Sequence, residues 1–187
     1  DRSPAEFIRG ASESDLEIFN GFVHRTFQSE DIKGLARSLK MLYQEHESIG
    51  GFFKAHVREG DTHLGHCFQE FKRYLLGNGL PLRAGKHFGD PSKGSACKRL
   101  IMFTRWMVRT NKEGIDFGLW DIDPALLSLP LDVHSGRVAR SLGLLKRKQN
   151  DWKAVVELDQ SIRAIEPEDP ARLDYALFGL GVYEGWK

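Results

Sequence analysis

The sequence predicts an all-α fold in a single domain. Apolar residues recur at helical spacing in several segments, capping residues precede those segments, and no stretch alternates apolar with polar residues as a strand would. A chain of 187 residues that is 41% hydrophobic and 28% charged is typical of a globular protein with a sizeable core. Apolar runs stay well short of the roughly 20 residues that span a bilayer, and the N-terminus has no secretory leader pattern. We therefore expect a cytoplasmic protein.

The first part of the chain, residues 1–84, predicts a helical scaffold without evident chemistry. Helices are expected after the capping-box residues Ser3 and Ser14 and over residues 31–46 and 64–75. Gly50 and Gly51 interrupt the apolar pattern, and residues 77–79 end the last of these helices. Residues 80–93 have no clear period and predict a loop.

A turn that contains glycine precedes the next helix, which we expect to begin at Ser95. The turn residues that could hold a DNA phosphate are Lys93, Gly94 and Ser95. Along the helix, Lys98, Arg105 and Arg109 follow one another at i, i+7 and i+11 and form one basic face. For Arg105 and Arg109, phosphate contact is no better an interpretation than a solvated face or internal ion pairs.

The central part of the chain, residues 85–153, carries most of the positive charge. It has thirteen Lys and Arg against seven Asp and Glu, whereas the whole protein has a net charge of only +1. Such an asymmetry is what a phosphate-binding face needs, and a solvated surface shows it equally often. The last part of the chain, residues 154–187, contains the C-terminal helices. We expect them over residues 151–165 and 174–178, the second ending before Gly179 and Gly181.

The stretch from Leu129 to Leu144 predicts a short helix that opens on a carboxylate. Asp132 is a good N-cap and Gly143 is the expected stop. His134 and Arg137 lie on one side of this helix and are candidates for DNA contact. An Asp in this position is most simply a helix cap.

Residues 129–134, Leu-Pro-Leu-Asp-Val-His, and residues 137–144, Arg-Val-Ala-Arg-Ser-Leu-Gly-Leu, resemble the signature of the helix-hairpin-helix DNA glycosylases. The wider run from Gly94 to Gly181 resembles an uncharacterised bacterial family related to those enzymes. The resemblance implies the HhH-GPD fold, with further helices upstream of Asp1. The turn at 91–94 departs from the glycosylase hairpin because it lacks the second hairpin glycine.

The resemblance also implies a base-excision repair activity. Asp132 would face the glycosidic bond and Lys98 would be the nucleophile of a bifunctional glycosylase and AP lyase acting on an oxidised base. Phe117, Trp120 and Asp174 would line the base pocket, although two core aromatics and a helix cap are the simpler interpretation. The partner would be damaged double-stranded DNA, bound by a monomer.

Neither a cofactor nor a metal is expected. Cys67 and Cys97 are too few for an iron–sulfur cluster or a zinc site made of cysteines, and both fall inside helical patterns. Two other functions stay open, which are a non-catalytic DNA-binding protein of the same fold and a helical protein-interaction module. Salt-sensitive DNA binding would separate the glycosylase and the non-catalytic DNA-binding protein from the interaction module.

Overall fold

A computed structural model describes residues 3–111 and 114–186, and over these residues the protein is predominantly helical, which confirms the predicted all-α class. Its helices are α1 (Pro4–Gly10), α2 (Ser29–His46), α3 (Ile49–His56), α4 (Gly65–Gly77), α5 (Lys98–Val108), α6 (Val133–Ser141), α7 (Trp152–Arg163) and α8 (Asp174–Tyr183). Short 3₁₀ segments cover Asp15–Phe19, Leu82–His87, Pro91–Lys93, Pro124–Leu126 and Pro170–Leu173. None of the described helices combines the length and apolar character that crossing a bilayer requires.

The only strands in the described residues form a small hairpin. Strand β1 (Val23–His24) pairs with the antiparallel strand β2 (Phe27–Gln28), with Val23 opposite Gln28. Each strand is two residues long. The sequence gives no signal for so short an element, because period-two alternation needs several residues to be visible.

The chain divides into two compact units. The first comprises residues up to His56 together with Glu70–Phe88, and the second comprises Val57–Gln69 together with residues from Gly89 onward. In the first unit, Phe52, Phe53 and Leu75 are almost completely buried. The carboxylate of Asp31 accepts the amide of Gln28 at 2.8 Å and closes a capping box at the start of α2.

Two local predictions in the first unit are wrong, one about a capping residue and one about an interruption of the helical pattern. Ser14 makes no capping bond, and the reciprocal bonds join Ser12 to Asp15 instead, with the Ser12 amide 2.8 Å from the Asp15 carboxylate. Gly50 and Gly51 do not break the helical pattern, since both lie in the first turn of α3. The predicted loop over residues 80–93 contains two 3₁₀ segments.

The second unit is built around α7, and it contains the candidate site. Val155, Leu158 and Ile162 on one face of α7 are fully buried. Helix α8 continues past Gly179 and Gly181, contrary to prediction. Gly181 serves close packing against α6 rather than termination, because a β-carbon there would lie 3.1 Å from the carbonyl oxygen of His134.

Candidate functional site

The structure places the ammonium group of Lys98 against the carboxylate of Asp132. Nζ of Lys98 lies 2.7 Å from Oδ2 of Asp132, although 34 residues separate them in the sequence. Lys98 is the first residue of α5 and Asp132 is the N-cap of α6, so the starts of two helices meet here. The Lys98 side chain is 47% exposed and that of Asp132 is 14% exposed. The structure therefore brings the two predicted catalytic residues together and leaves the amine accessible to solvent.

The two carboxylate oxygens of Asp132 have different partners. Oδ1 accepts the backbone amides of His134 at 2.8 Å and Ser135 at 2.9 Å, whereas Oδ2 accepts Lys98. Burial opposes ionisation, but the hydrogen bonds from Lys98 and from the two amides outweigh it and hold the pKa of Asp132 below its ordinary value. Asp132 is therefore an anion at neutral pH.

Helix α7 fixes the segment that leads to Asp132. The carboxylate of Asp159 accepts the hydroxyl of Ser128 at 2.5 Å and the amide of Leu129 at 3.3 Å. Burial raises the pKa of Asp159 to about 6, although Ser128 and Arg163 oppose the rise. Asp159 is thus a buried anchor for the chain just before the cap, a role that the sequence did not indicate.

A cavity of about 440 Å³ opens beside the Lys98–Asp132 pair. Its charged lining residues are Lys98, Arg105, Asp132 and Asp174. Its apolar and aromatic lining includes Met102, Pro130, Tyr175, Phe178 and Tyr183. Aromatic faces combined with a few convergent charged groups are typical of a small-molecule site.

Arg105 of α5 and Arg109, the C-cap of that helix, are buried in a network of ion pairs beside this cavity. The members of the network are Arg105, Arg109, Asp116, Asp169, Asp174 and Tyr175. Asp116 is at the centre, because its fully buried carboxylate accepts both guanidinium groups. It also accepts the hydroxyl of Tyr175 at 3.2 Å.

Each arginine has a second carboxylate partner. Arg105 donates to Asp174, and its other terminal nitrogen donates to the hydroxyl of Tyr175 at 3.0 Å. Nε of Arg109 lies 2.8 and 2.9 Å from the two carboxylate oxygens of Asp169. Of the three interpretations of the basic face of α5, the structure favours internal ion pairs for Arg105 and Arg109.

Asp174 is the first residue of α8, and it lines the cavity beside Lys98 and Asp132. It is buried, and burial raises its pKa to about 6. The charge of Arg105 opposes this rise and the nearby charge of Asp132 adds to it. Asp174 therefore holds its proton to a much higher pH than an exposed Asp would.

The other two predicted base-pocket residues, Phe117 and Trp120, are not part of the cavity lining. Their segment runs along the end of α5, where the amide of Phe117 donates to the carbonyl oxygen of Trp106 at 2.7 Å. Phe117 is 57% exposed, and Trp120 packs edge-on against Phe103 with ring centroids 5.1 Å apart. The structure does not bring these two aromatics to Lys98 and Asp132.

The predicted turn is present, but its amides are engaged within the protein, because those of Lys93 and Ser95 donate to the carbonyl oxygen of Asp90 and that of Gly94 to Pro91. The helix after the turn also begins later than expected. Gly94 adopts a left-handed φ of 80° and ends the 3₁₀ segment that contains Lys93. Cys97 is also left-handed, with φ 50°, so α5 begins at Lys98 rather than at Ser95. Lys93 and Gly94 are exposed, but the amide of Ser95 lies outside the first turn of α5.

The remaining candidates for DNA contact lie on α6. Arg137 is exposed and, together with Arg140 and Lys148, lines a shallow depression of about 550 Å³. His134 is half-buried, and its ring lies edge-on to Phe178 with centroids 6.0 Å apart. The sequence therefore indicated one exposed basic residue of this surface, whose neighbours are Arg140 in the last turn of α6 and Lys148 in the following loop.

Sequence reasoning missed several residues that shape the site. Met102 is one helical turn after Lys98, and Phe178 is one turn after Asp174, so helical spacing from the predicted residues could have found both. Asp116 and Tyr175 gave no comparable signal. Among the described residues, no three His, Cys, Asp or Glu side chains are grouped as a metal site requires. Cys67 and Cys97 are buried, as expected of small core residues.

Comparison with known proteins places the chain in one family. Neither a search of curated proteins nor a search of solved structures returned a match. One family model, described as "Protein of unknown function (DUF2400)", matches residues 1–183. Since this match covers nearly the whole chain, the protein belongs to the DUF2400 family.

Proposed function

We propose that this protein is a DNA glycosylase with lyase activity at abasic sites, acting on an oxidised base in double-stranded DNA. The observation that carries the proposal is the 2.7 Å pair of Lys98 and Asp132 beside a cavity lined by aromatic residues. The resemblance of residues 129–144 to the helix-hairpin-helix glycosylases supplies the class of reaction. The protein would act as a monomer in the cytoplasm.

Asp132 suits the stabilisation of positive charge on the sugar. Cleavage of a glycosidic bond develops an oxocarbenium-like charge near C1′, and a preorganised anion lowers the energy of that state. Because its pKa is depressed, Asp132 remains ionised at the pH of the reaction. Its link to the α6 amides keeps the carboxylate from turning away as the charge develops.

Lys98 suits nucleophilic attack. The bond from C1′ to the base breaks first, its electron pair leaves with the base, and ionised Asp132 stabilises the positive charge left on the sugar. One ammonium proton of Lys98 then crosses the 2.7 Å hydrogen bond to Asp132, and the freed lone pair on Nζ forms a bond to C1′. The C1′–O4′ bond then opens, a proton moves from Nζ to O4′, and a Schiff base remains that can lead to strand cleavage by elimination.

The aromatic part of the cavity suits a flipped base. A glycosylase must extrude its target nucleotide and hold the base between apolar faces and hydrogen-bonding groups. Tyr175 and Phe178 from α8 and Met102 from α5 offer such faces, and Asp174 offers a polar group beside them. These residues replace Phe117 and Trp120 in the proposal.

The basic depression on α6 suits the DNA backbone. Arg137, Arg140 and Lys148 surround it, and it adjoins the helix that Asp132 caps. Contacts of this kind position a duplex without reading its sequence, and they make the affinity fall as salt rises. Each lost phosphate contact should reduce the slope of log K against log salt by about 1.

Borohydride trapping tests the proposal directly. The purified protein is incubated with duplexes that contain 8-oxoguanine, uracil, thymine glycol or an abasic site, and Schiff bases are reduced to stable adducts. The variants are Lys98→Gln and Asp132→Asn, with Lys153→Gln as a control that removes an exposed lysine of α7. We expect an adduct with the native protein and the control, and none with Lys98→Gln.

Other outcomes assign the protein differently. DNA binding that weakens with salt, without base release or adduct on any duplex, would support a non-catalytic DNA-binding protein. Absence of DNA binding at low salt would leave a helical interaction module. Base release without an adduct would assign attack to a water molecule positioned by Asp132.

A further inference from the structure

Carboxylates outnumber cations in the charged cluster formed by the cavity lining and the network beside it. The cations are Lys98, Arg105 and Arg109, and the carboxylates are Asp116, Asp132, Asp169 and Asp174. Among the described residues of this cluster there is thus one carboxylate more than there are cations. Lys98 and Asp169 are partly exposed to solvent, whereas Asp174 lies in the buried part of the cluster. An ionised carboxylate with one shared cation is costly there, and uptake of one proton removes that cost.

Three of the four carboxylates accept at least two hydrogen bonds each. Asp132 has Lys98 and two backbone amides, and Asp169 accepts Nε of Arg109 with both oxygens. Asp116 accepts two guanidinium groups and the hydroxyl of Tyr175. The proton therefore belongs on the remaining carboxylate.

Asp174 accepts fewer hydrogen bonds than the other three carboxylates, with one donor, Arg105. Its cation is Arg105, which it shares with Asp116 and with the hydroxyl of Tyr175. Asp174 is also buried, and it lines the same cavity as Lys98 and Asp132. The excess proton of the cluster is thereby stored at the wall of the cavity, within reach of a bound ligand.

We propose that Asp174 is the general acid that protonates the departing heterocyclic base in this cavity. The inference rests on the proposed glycosylase activity and adds a third catalytic residue to Lys98 and Asp132. As the bond from C1′ to the base breaks, its electron pair leaves on the base, and the carboxylic proton of Asp174 moves to a nitrogen or oxygen of the base. The resulting carboxylate is held by Arg105, and solvent returns its proton after the base leaves.

The groups that face Asp174 agree with this assignment. Helix α5 presents Lys98 and Arg105, and the start of α6 presents Asp132, with His134 further along it. Asp116 and Tyr175 complete the set through Arg105. Burial raises the pKa of Asp174 to about 6, so a useful fraction is protonated near neutral pH.

Single-turnover base release measured from pH 5 to pH 9 tests the inference. The substrates are duplexes that contain 8-oxoguanine, uracil or thymine glycol, and the variants are Asp174→Asn and Asp174→Glu. The control, Lys153→Gln, changes an exposed side chain of α7 that belongs neither to the charged cluster nor to the cavity lining. A second readout is the rate of borohydride trapping on an abasic duplex, where no base remains to be protonated.

For the native protein we expect base release to fall about tenfold per pH unit above the pKa of the acid. Asp174→Asn should be slower by about 100-fold or more at pH 6 and insensitive to pH, because an amide cannot give up a proton. Asp174→Glu should recover part of the rate and its pH dependence. The control should keep the native pH profile, and all variants should form the abasic adduct at similar rates.

The opposing outcomes are distinct. If the native protein releases a base and Asp174→Asn does so with the same rate and pH profile, the assignment of the acid is wrong while the glycosylase activity stands. Loss of both base release and abasic trapping in Asp174→Asn would show that the residue acts on the structure of the site, which also overturns the inference. If the native protein neither releases a base nor forms an adduct, the proposed activity itself fails.

Discussion

The stability of the second unit should depend strongly on Asp116. Its carboxylate is fully buried and accepts Arg105, Arg109 and Tyr175. In Asp116→Asn an amide of the same size faces two guanidinium groups, so that donor meets donor. Removing one partner of a buried ion pair costs about 3 to 5 kcal/mol, and we expect about 3 kcal/mol because each arginine keeps one other carboxylate.

Urea unfolding followed by circular dichroism measures this loss. With a slope of about 2 kcal/mol per M urea, the midpoint should fall by about 1.5 M. The matched control is Asp169→Asn, which removes a carboxylate that is 26% exposed and pairs with Arg109 alone. The control should cost about 1 kcal/mol. Equal midpoints for the two variants, or a native midpoint for Asp116→Asn, would refute the argument that Asp116 is the centre of the network.

Three further outcomes are expected. Gly34→Ala should destabilise the protein by about 2 kcal/mol, because its β-carbon would lie 2.6 Å from Cδ of Pro81. Gly77→Ala is the control, since a β-carbon there meets open space, and the change should be neutral or stabilising. Thermal unfolding measures both changes. Folding raises the pKa of Asp159 to about 6, so the free energy of unfolding contains a contribution from the protonated carboxyl. This contribution, about 3 kcal/mol, is present below about pH 4 and is lost by about pH 6. Asp159→Asn should flatten that part of a stability–pH curve measured by urea titrations. Asp132→Asn should unfold within about 1 kcal/mol of the native protein, because Asn caps helices as well as Asp does, and yet lose adduct formation on an abasic duplex.

Local signals in the sequence were reliable where they depended on neighbouring residues. The cap at Asp132 and the stop at Gly143 were predicted correctly, because each involves bonds within a few residues of the chain. Gly143 adopts φ 74°, and the amides of Gly143 and Leu144 bond back to the last turn of α6. The same locality explains the misplaced capping box, since Ser12 and Ser14 offer competing boxes two residues apart.

The network beside the cavity could not be predicted in the same way. Arg105 and Asp174 are 69 residues apart, and neither the periodicity nor the capping residues of the two segments indicate that α8 begins beside α5. Periodicity correctly placed Arg105 in a helix, although Arg109 follows the end of that helix, and it does not say whether a face meets water or carboxylates. The left-handed Cys97 was also invisible, because only Gly and Asn announce such a conformation by their residue type.

The two oxygens of the Asp132 carboxylate bind different partners, and this determines which residues can replace Asp132. One oxygen is engaged by the helix and the other by Lys98. Ser, Thr or Asn can replace the first oxygen, but none of them carries the charge of the second. In a library of all substitutions at this position, a screen for folding should therefore accept several residues, while a screen for the chemistry of Lys98 should reject the neutral caps Ser, Thr and Asn.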